Sequence, residues 1–183
     1  VKGFGGEIIM GGLKMSDTSL EKNFDEIFQS VIEIEKMAAE IYEEFAKLFS
    51  DFPKIADFWK GMNRDEIDHA KWLIEMKESL PEEVLSSSPD YDLILKVHSI
   101  KKSLGEYSEK KINSLDDAYE LANDIESSEV NNLFRLFTHK FISSEDKKNF
   151  ILSEINDHQL KTMNFPKNFG DKILRKEIKA ERN

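Results

Sequence analysis

The chain contains no cysteine. That excludes disulfides, thiolate catalysis, iron–sulfur clusters and cysteine-held zinc. Any metal would have to sit on carboxylates and imidazoles, and only four histidines exist: His69, His98, His139 and His158. Long apolar runs are also missing; none approaches the ~20 residues a helix needs to cross a bilayer, so no membrane partner is expected. Positive charge is in short supply. A net charge of −10 disfavours a phosphate-rich partner, and no nucleic acid is expected to bind. Basic residues concentrate only near the C-terminus, at Lys167, Lys172, Arg175, Lys176, Lys179 and Arg182. They alternate with apolar residues and read as a basic tail or short docking helix over residues 166–183. Glycine is scarce, and five of the eight fall in the first 12 residues. Residues 1–18 therefore read as a flexible leader. The opening VKGFGGEIIMGGLKM lacks both a long apolar region and a small-residue cleavage site. A cytoplasmic location is the default expectation.

What is present is a repeated helical period. At 183 residues the chain suits one domain with a sizeable core. The first long helix is expected from Ser19 to Phe49, opened by a capping box of Thr18 and Glu21. The run Asp51–Phe52–Pro53 ends it and starts the second, which runs from Pro53 to Leu80 and stops at Pro81. PEEVLSSSPD reads as a loop, and YDLILKVHSIKKSL as a shorter helix with Leu93, Ile94, Val97 and Ile100 on one side. Ser114 and Asp117 form a capping box for a third long helix to Lys140. Ser143 or Ser144 caps a fourth, expected to reach Met163 before Pro166. No strand-like alternation competes. The fold class is all-α: a four-helix bundle over residues 19–165 with one long crossover containing a short helix.

Helical phase then asks which ionisable residues share a face with the apolar ones, since each residue turns the helix by about 100°. In the first helix the stripe is Phe24, Ile27, Phe28, Val31, Ala38, Tyr42, Phe45 and Phe49. Glu35 projects with it, whereas Glu33, Glu40, Glu43 and Glu44 do not. In the second, Glu66 and His69 sit among Ile55, Phe58, Trp59, Met62, Leu73 and Met76, while Asp65 and Asp68 point elsewhere. In the third, Glu126 and Glu129 share the side of Ala118, Tyr119, Ala122, Val130, Leu133, Leu136 and Phe137. In the fourth, Phe150, Ile151 and Ile155 set the inward direction, with Glu154 and His158 beside them.

Taken singly, each of these has an ordinary explanation. A lone Glu on an apolar stripe reaches water at the rim, and a lone E-x-x-H arises by chance in a charged helix. Seven such residues on four helices are another matter. Burying unpaired carboxylates costs several kcal/mol each, against a total folding stability of ~5–15 kcal/mol. Five carboxylates (Glu35, Glu66, Glu126, Glu129, Glu154) carry −5, close to the +4 of two ferrous ions. Two iron ions are the expected cofactor; manganese–iron or zinc would use similar ligands.

The segments EKMAAEIY, DEIDHAKWL, DAYELANDIESSEVNNLF and ILSEINDHQL, in that order over residues 20–163, resemble the rubrerythrin-like branch of the ferritin-like superfamily. The resemblance implies a ferritin-like fold and a di-iron site whose ligands are Glu35, Glu66, His69, Glu126, Glu154 and His158. Glu129 would be the extra carboxylate that changes ligation with redox state, Glu66 and Glu154 the bridges, and Tyr42 an outer hydrogen-bond donor. The fourth helix departs from the common E-x-x-H: it reads Glu154-x-x-x-His158, which leaves Asp157 as an alternative ligand. With no cysteine, the chain lacks the rubredoxin-type centre of classical relatives. The implied activity is non-haem di-iron oxidoreduction. Peroxide or dioxygen would be the oxidant, a separate protein the electron donor, and a homodimer the assembly. Iron storage and oxygenation of an organic substrate are the alternatives.

Overall fold

The structure, a computed structural model, describes residues 21–127 and 129–169, with the side chains of 127–129 and 166–169 left undescribed. Among the described residues seven helical segments follow in order: α1 (Phe24–Leu48), α2 (Pro53–Glu78), α3 (Glu82–Leu85), α4 (Tyr91–Ser108), α5 (Leu115–Ser127), α6 (Glu129–Phe141) and α7 (Glu145–Phe169). The chain folds as an all-α, ferritin-like bundle. α1 and α2 form one pair, joined by a short turn. α5 with α6, and then α7, form the other, and together α5 and α6 occupy the span expected of one long helix. Short turns within each pair make antiparallel neighbours, and residues 79–114 cross from one pair to the other. No helix of the described residues is long and apolar enough to cross a membrane.

Local chemistry explains most boundaries. Pro53 opens α2, where its missing N–H is no loss. The hydroxyl of Ser114 accepts from the Asp117 N–H at 3.1 Å, and Asp117 reaches back to the Asn113 N–H at 2.8 Å. Ser144 accepts from the Lys147 N–H at the start of α7. The first boundary differs from expectation. α1 starts at Phe24, capped by Asn23, whose Oδ1 accepts from the Glu26 N–H at 2.9 Å. Thr18 lies outside the described residues, and Glu21 does not cap: it accepts from Ser30 at 2.6 Å and pairs with His98 of α4 at 2.7 Å.

The crossover also carries more helix than expected. α3 is a single turn inside the anticipated loop, and α4 runs 18 residues. Its buried Ile94, Val97, Ile100 and Leu104 pack on α1, and Lys101 and His98 tie its edge to Glu33 and Glu21. This second contact explains why α1 buries Ile32, Ile34 and Ile41, which lie off its bundle-facing stripe.

α7 departs furthest. It continues through Pro166 to Phe169 rather than ending at Met163. Phe165 supplies the reason: it is fully buried, with its ring 5.1 Å from Trp59, 4.8 Å from Phe58 and 5.3 Å from Tyr119. A proline in the last turn forfeits one helical bond, and the buried ring offsets it. The inward face of α7 is Ile151, Ile155, His158, Thr162 and Phe165. Phe150 is 55% exposed and does not set that face; Leu136 of α6, expected in the core, is 44% exposed.

Aromatic packing is concentrated at two levels of the bundle. Trp59 stacks on Tyr42 with ring centroids 5.9 Å apart and is flanked by Phe45, Phe58 and Phe165. At the other level Phe28 meets Phe137 and Phe141, and Phe24 meets Phe141. Between them, in sequence and in space, lies a layer that is not apolar.

Candidate metal centre

That layer is built by one inward residue from α1 (Glu35), two from α2 (Glu66, His69), one from α5 (Glu126) and one from α7 (His158). All five are at least 95% buried. Three-residue spacing puts Glu66 and His69 on one face of α2, and the His69 Nδ1 lies 2.8 Å from Glu66 Oε2. Glu35 Oε2 is 3.6 Å from the same nitrogen. On the far side, His158 Nε2 is 3.1 Å from Glu66 Oε1 and 2.8 Å from Glu126 Oε1.

The five therefore form two triads, Glu35–Glu66–His69 and Glu66–Glu126–His158, and in each the donor atoms lie within 4.8 Å of one another. Glu66 belongs to both. Its two oxygens face different histidines, which is the disposition a bridging carboxylate needs.

Around the second triad lie further polar groups. The Tyr42 hydroxyl donates to Glu126 Oε1 at 2.6 Å, and the Asn131 amide donates to Glu126 Oε2 at 2.9 Å. The same amide nitrogen also reaches the Glu126 backbone carbonyl at 3.1 Å. His158 turns its Nδ1 to Asp65 Oδ2 at 3.1 Å, and Lys161 donates to that oxygen at 2.6 Å. A carboxylate on the outer nitrogen of a histidine fixes its tautomer and aims the other nitrogen inward.

The electrostatics follow from the burial. Burial raises the Glu35 carboxyl to about 8, with the charge of Glu66 adding to it and His69 only partly opposing. For Glu66, burial pushes the same way, but His158 and His69 outweigh it and hold the carboxylate well below its usual range. Burial would lower His69; Glu35 and Glu66 overcome this and lift it to about 10. His158 is likewise lifted, chiefly by Glu66 and Glu126 against burial. Tyr42 is raised by burial and by the neighbouring carboxylates, so its hydroxyl stays a donor.

The donor set fits iron. Three carboxylates and two imidazoles are the oxygen and nitrogen donors that suit it, with no thiolate present. A further sign is Glu35 Oε2, which is buried with no hydrogen-bond partner among the described residues. Buried oxygens without partners are rare and costly, and a cation between Glu35 and His69 would satisfy this one.

Of the seven residues expected as ligands, the structure brings five together. Glu129 opens α6, and its side chain lies outside the described residues. Glu154 is not among the five: its side chain is exposed and belongs to neither triad. The cause is the phase of α7. With Phe150 outside, the inward direction turns toward Ile151, Ile155 and Thr162, leaving Glu154 past the edge and His158 central. Asp157, the alternative, is also exposed. Tyr42 bonds Glu126 rather than Glu35, its neighbour along α1. Asn131 and Asp65 were not anticipated. Asp65 lies off the apolar stripe of α2, as its helical phase predicts; its partner comes from α7. His98 pairs with Glu21 at the α1–α4 edge and His139 is exposed, both apart from the centre. A groove of about 460 Å³ on the outer side of α1, lined by Met37, Ile41, Phe45, Tyr107 and Leu121 among others, shares no residue with the centre.

No curated protein and no solved structure gives a significant match to the chain. A family model does, over residues 26–147, and its description is Rubrerythrin. The matched stretch takes in Glu35, Glu66, His69 and Glu126 and stops just inside α7, before His158.

Proposed function

The chain belongs to the rubrerythrin family of ferritin-like di-iron proteins, and from that premise we propose that its buried centre reduces hydrogen peroxide with electrons from a separate donor protein. The observation that carries the reading is the sharing of Glu66 by two otherwise independent triads. Glu35, Glu66 and His69 would hold one iron ion, and Glu66, Glu126 and His158 the other.

In the reaction, one hydrogen peroxide, two electrons and two protons give two water molecules. Two iron ions would supply both electrons at once by passing together from ferrous to ferric, which a single ion cannot do. The chain's own residues do the rest. Glu66, common to both triads, would be a ligand to both ions. Tyr42 and Asn131 hold Glu126 in one orientation, and Asp65 holds His158. Phe134 and Trp72, with ring centroids 5.1 and 5.6 Å from His69, keep water from that side. The electrons come from outside these 183 residues, because without cysteine they contain no thiolate-held iron to relay them.

The test is anaerobic loading with ferrous iron followed by stopped-flow mixing with peroxide. Two irons per chain should bind, and one peroxide should oxidise both. A protein that holds two ferrous ions and is left reduced by peroxide, or is oxidised far faster by dioxygen, would falsify the peroxidase assignment.

A further inference from the structure

The two triads are not equally supported, although both use two carboxylates and one imidazole. In the Glu66–Glu126–His158 half, both ligands that it does not share are held from outside the triad. Glu126 has a donor on each oxygen, the hydroxyl of Tyr42 on one and the amide of Asn131 on the other. Asn131 is itself buried, and its second bond, to the Glu126 backbone carbonyl, ties the amide to the helix that carries its target. His158 is fixed by Asp65, and Asp65 by Lys161.

The Glu35–Glu66–His69 half has no such frame among the described residues. Glu35 Oε2 has no hydrogen-bond partner among the described residues, and His69 Nδ1 lies 3.6 Å from it. The contacts of His69 outside its triad are rings: Trp72, Phe134 and His158.

We infer that the centre fills in a fixed order, with the Glu66–Glu126–His158 half taking the first metal ion and the Glu35–Glu66–His69 half the second. The inference rests on reading the cluster as a two-metal centre. Ligands already locked in their binding orientation lose little freedom when a metal arrives, whereas unlocked ones must be ordered at that moment. Outer hydrogen bonds to ligands are typically worth about 10–100-fold in metal affinity, and here they fall on one half. Glu66 then links the two events. Glu66, whose two oxygens face His158 and His69, would be held by the first ion and so already ordered when the second arrives. Asn131 is a positioning residue in this scheme: it touches no metal and sets the affinity of one half through Glu126.

The test is a titration of the metal-free protein with cobalt(II) under anaerobic conditions, followed by visible absorption and by calorimetry. Two steps are expected, with the first tighter by about tenfold or more. Glu35→Gln should keep the tight step and lose the weak one. Asn131→Leu should weaken the tight step by about 10–100-fold. Tyr42→Phe, which removes one hydroxyl and keeps the ring, should move it the same way, and circular dichroism verifies that each variant is folded. Two cobalt ions entering in one indistinguishable step would overturn the inference, as would loss of the tight step in Glu35→Gln. If cobalt binds in order but peroxide does not oxidise the iron-loaded protein, the peroxidase reading falls and the filling order stands. If peroxide reacts and the steps are unordered, the reverse holds. A folded protein that binds no cobalt sinks both.

Discussion

The α1–α2 pair and the α5–α7 pair each bring carboxylate and imidazole to the same layer, yet they are built differently. In the first pair every expected ligand, Glu35, Glu66 and His69, is inside, and the apolar stripe of α1 is buried along its whole length. In the second pair Glu126 and His158 are inside, Glu154 is out, and the polar network of Tyr42, Asn131, Asp65 and Lys161 gathers around them. Around the first pair's ligands the surroundings outside the triad are mainly apolar; around the second pair's, hydrogen bonds are added. The difference teaches that a buried charge can be positioned either way, and that only the first way leaves a clear periodic trace in sequence.

The largest effect should come from the residue common to both halves. Glu66→Ala is expected to drop bound iron from two per chain to near zero by metal analysis. In the metal-free protein it leaves two buried imidazoles without their shared partner, at a cost of about 3–5 kcal/mol in a denaturant titration. A variant that kept one tightly held iron would show that the halves do not depend on Glu66 equally.

The comparison extends to packing. Phe165→Ala, at the far end of α7, should cost about 3–5 kcal/mol. Phe150→Ala removes little more than one edge-on ring contact with Trp72, about 1 kcal/mol. Similar losses in urea melts would mean that Phe150 lies on the inward face of α7 as much as Phe165 does.

The proton-dependent contributions sharpen the contrast further. His69, raised to about 10, contributes stability that is complete below its ordinary 6.5 and fades as pH rises through 10. Glu35, raised to about 8, behaves alike: its contribution is complete below 4.5 and fades through 8. Glu66, depressed, works in the opposite sense and loses its contribution as acid protonates it. The melting temperature of the metal-free protein should therefore fall between pH 7 and pH 10. Bound metal takes the place of those protons, so the loaded protein should change less over that range. Equal slopes for the two forms would contradict the assignment of His69 and Glu35 to the centre.

The smallest effect belongs to Glu154→Gln, which should leave two irons bound and the peroxide reaction unchanged. Loss of one iron would return Glu154 to the ligand set.

Much of this architecture was legible in the residues alone, for identifiable reasons. Helix spans followed from apolar period and from caps such as Ser114 with Asp117 and Pro53 at the start of α2. Glu35, Glu66 and His69 were legible because each interrupts a strong stripe. α7 was harder, since its apolar residues are fewer and one large exposed ring, Phe150, turned the apparent face toward Glu154. Its end was misplaced because Pro166 is a stop signal locally, and the burial of Phe165 is a tertiary fact. Asn131 and Asp65 left no signal at all. Each lies at or beyond the edge of its own helix stripe, and each acquires its role from a partner that folding brings to it.

The crossover gives the centre a sidedness. α4 packs along α1, the helix that carries Glu35, and covers part of its outer side. At His158 the link to solvent is direct: Asp65 is a quarter exposed and Lys161 about half, so two hydrogen bonds connect the inner imidazole to bulk water along the α2–α7 seam. Solvent protons thus have a hydrogen-bonded route to the centre along the α2–α7 seam.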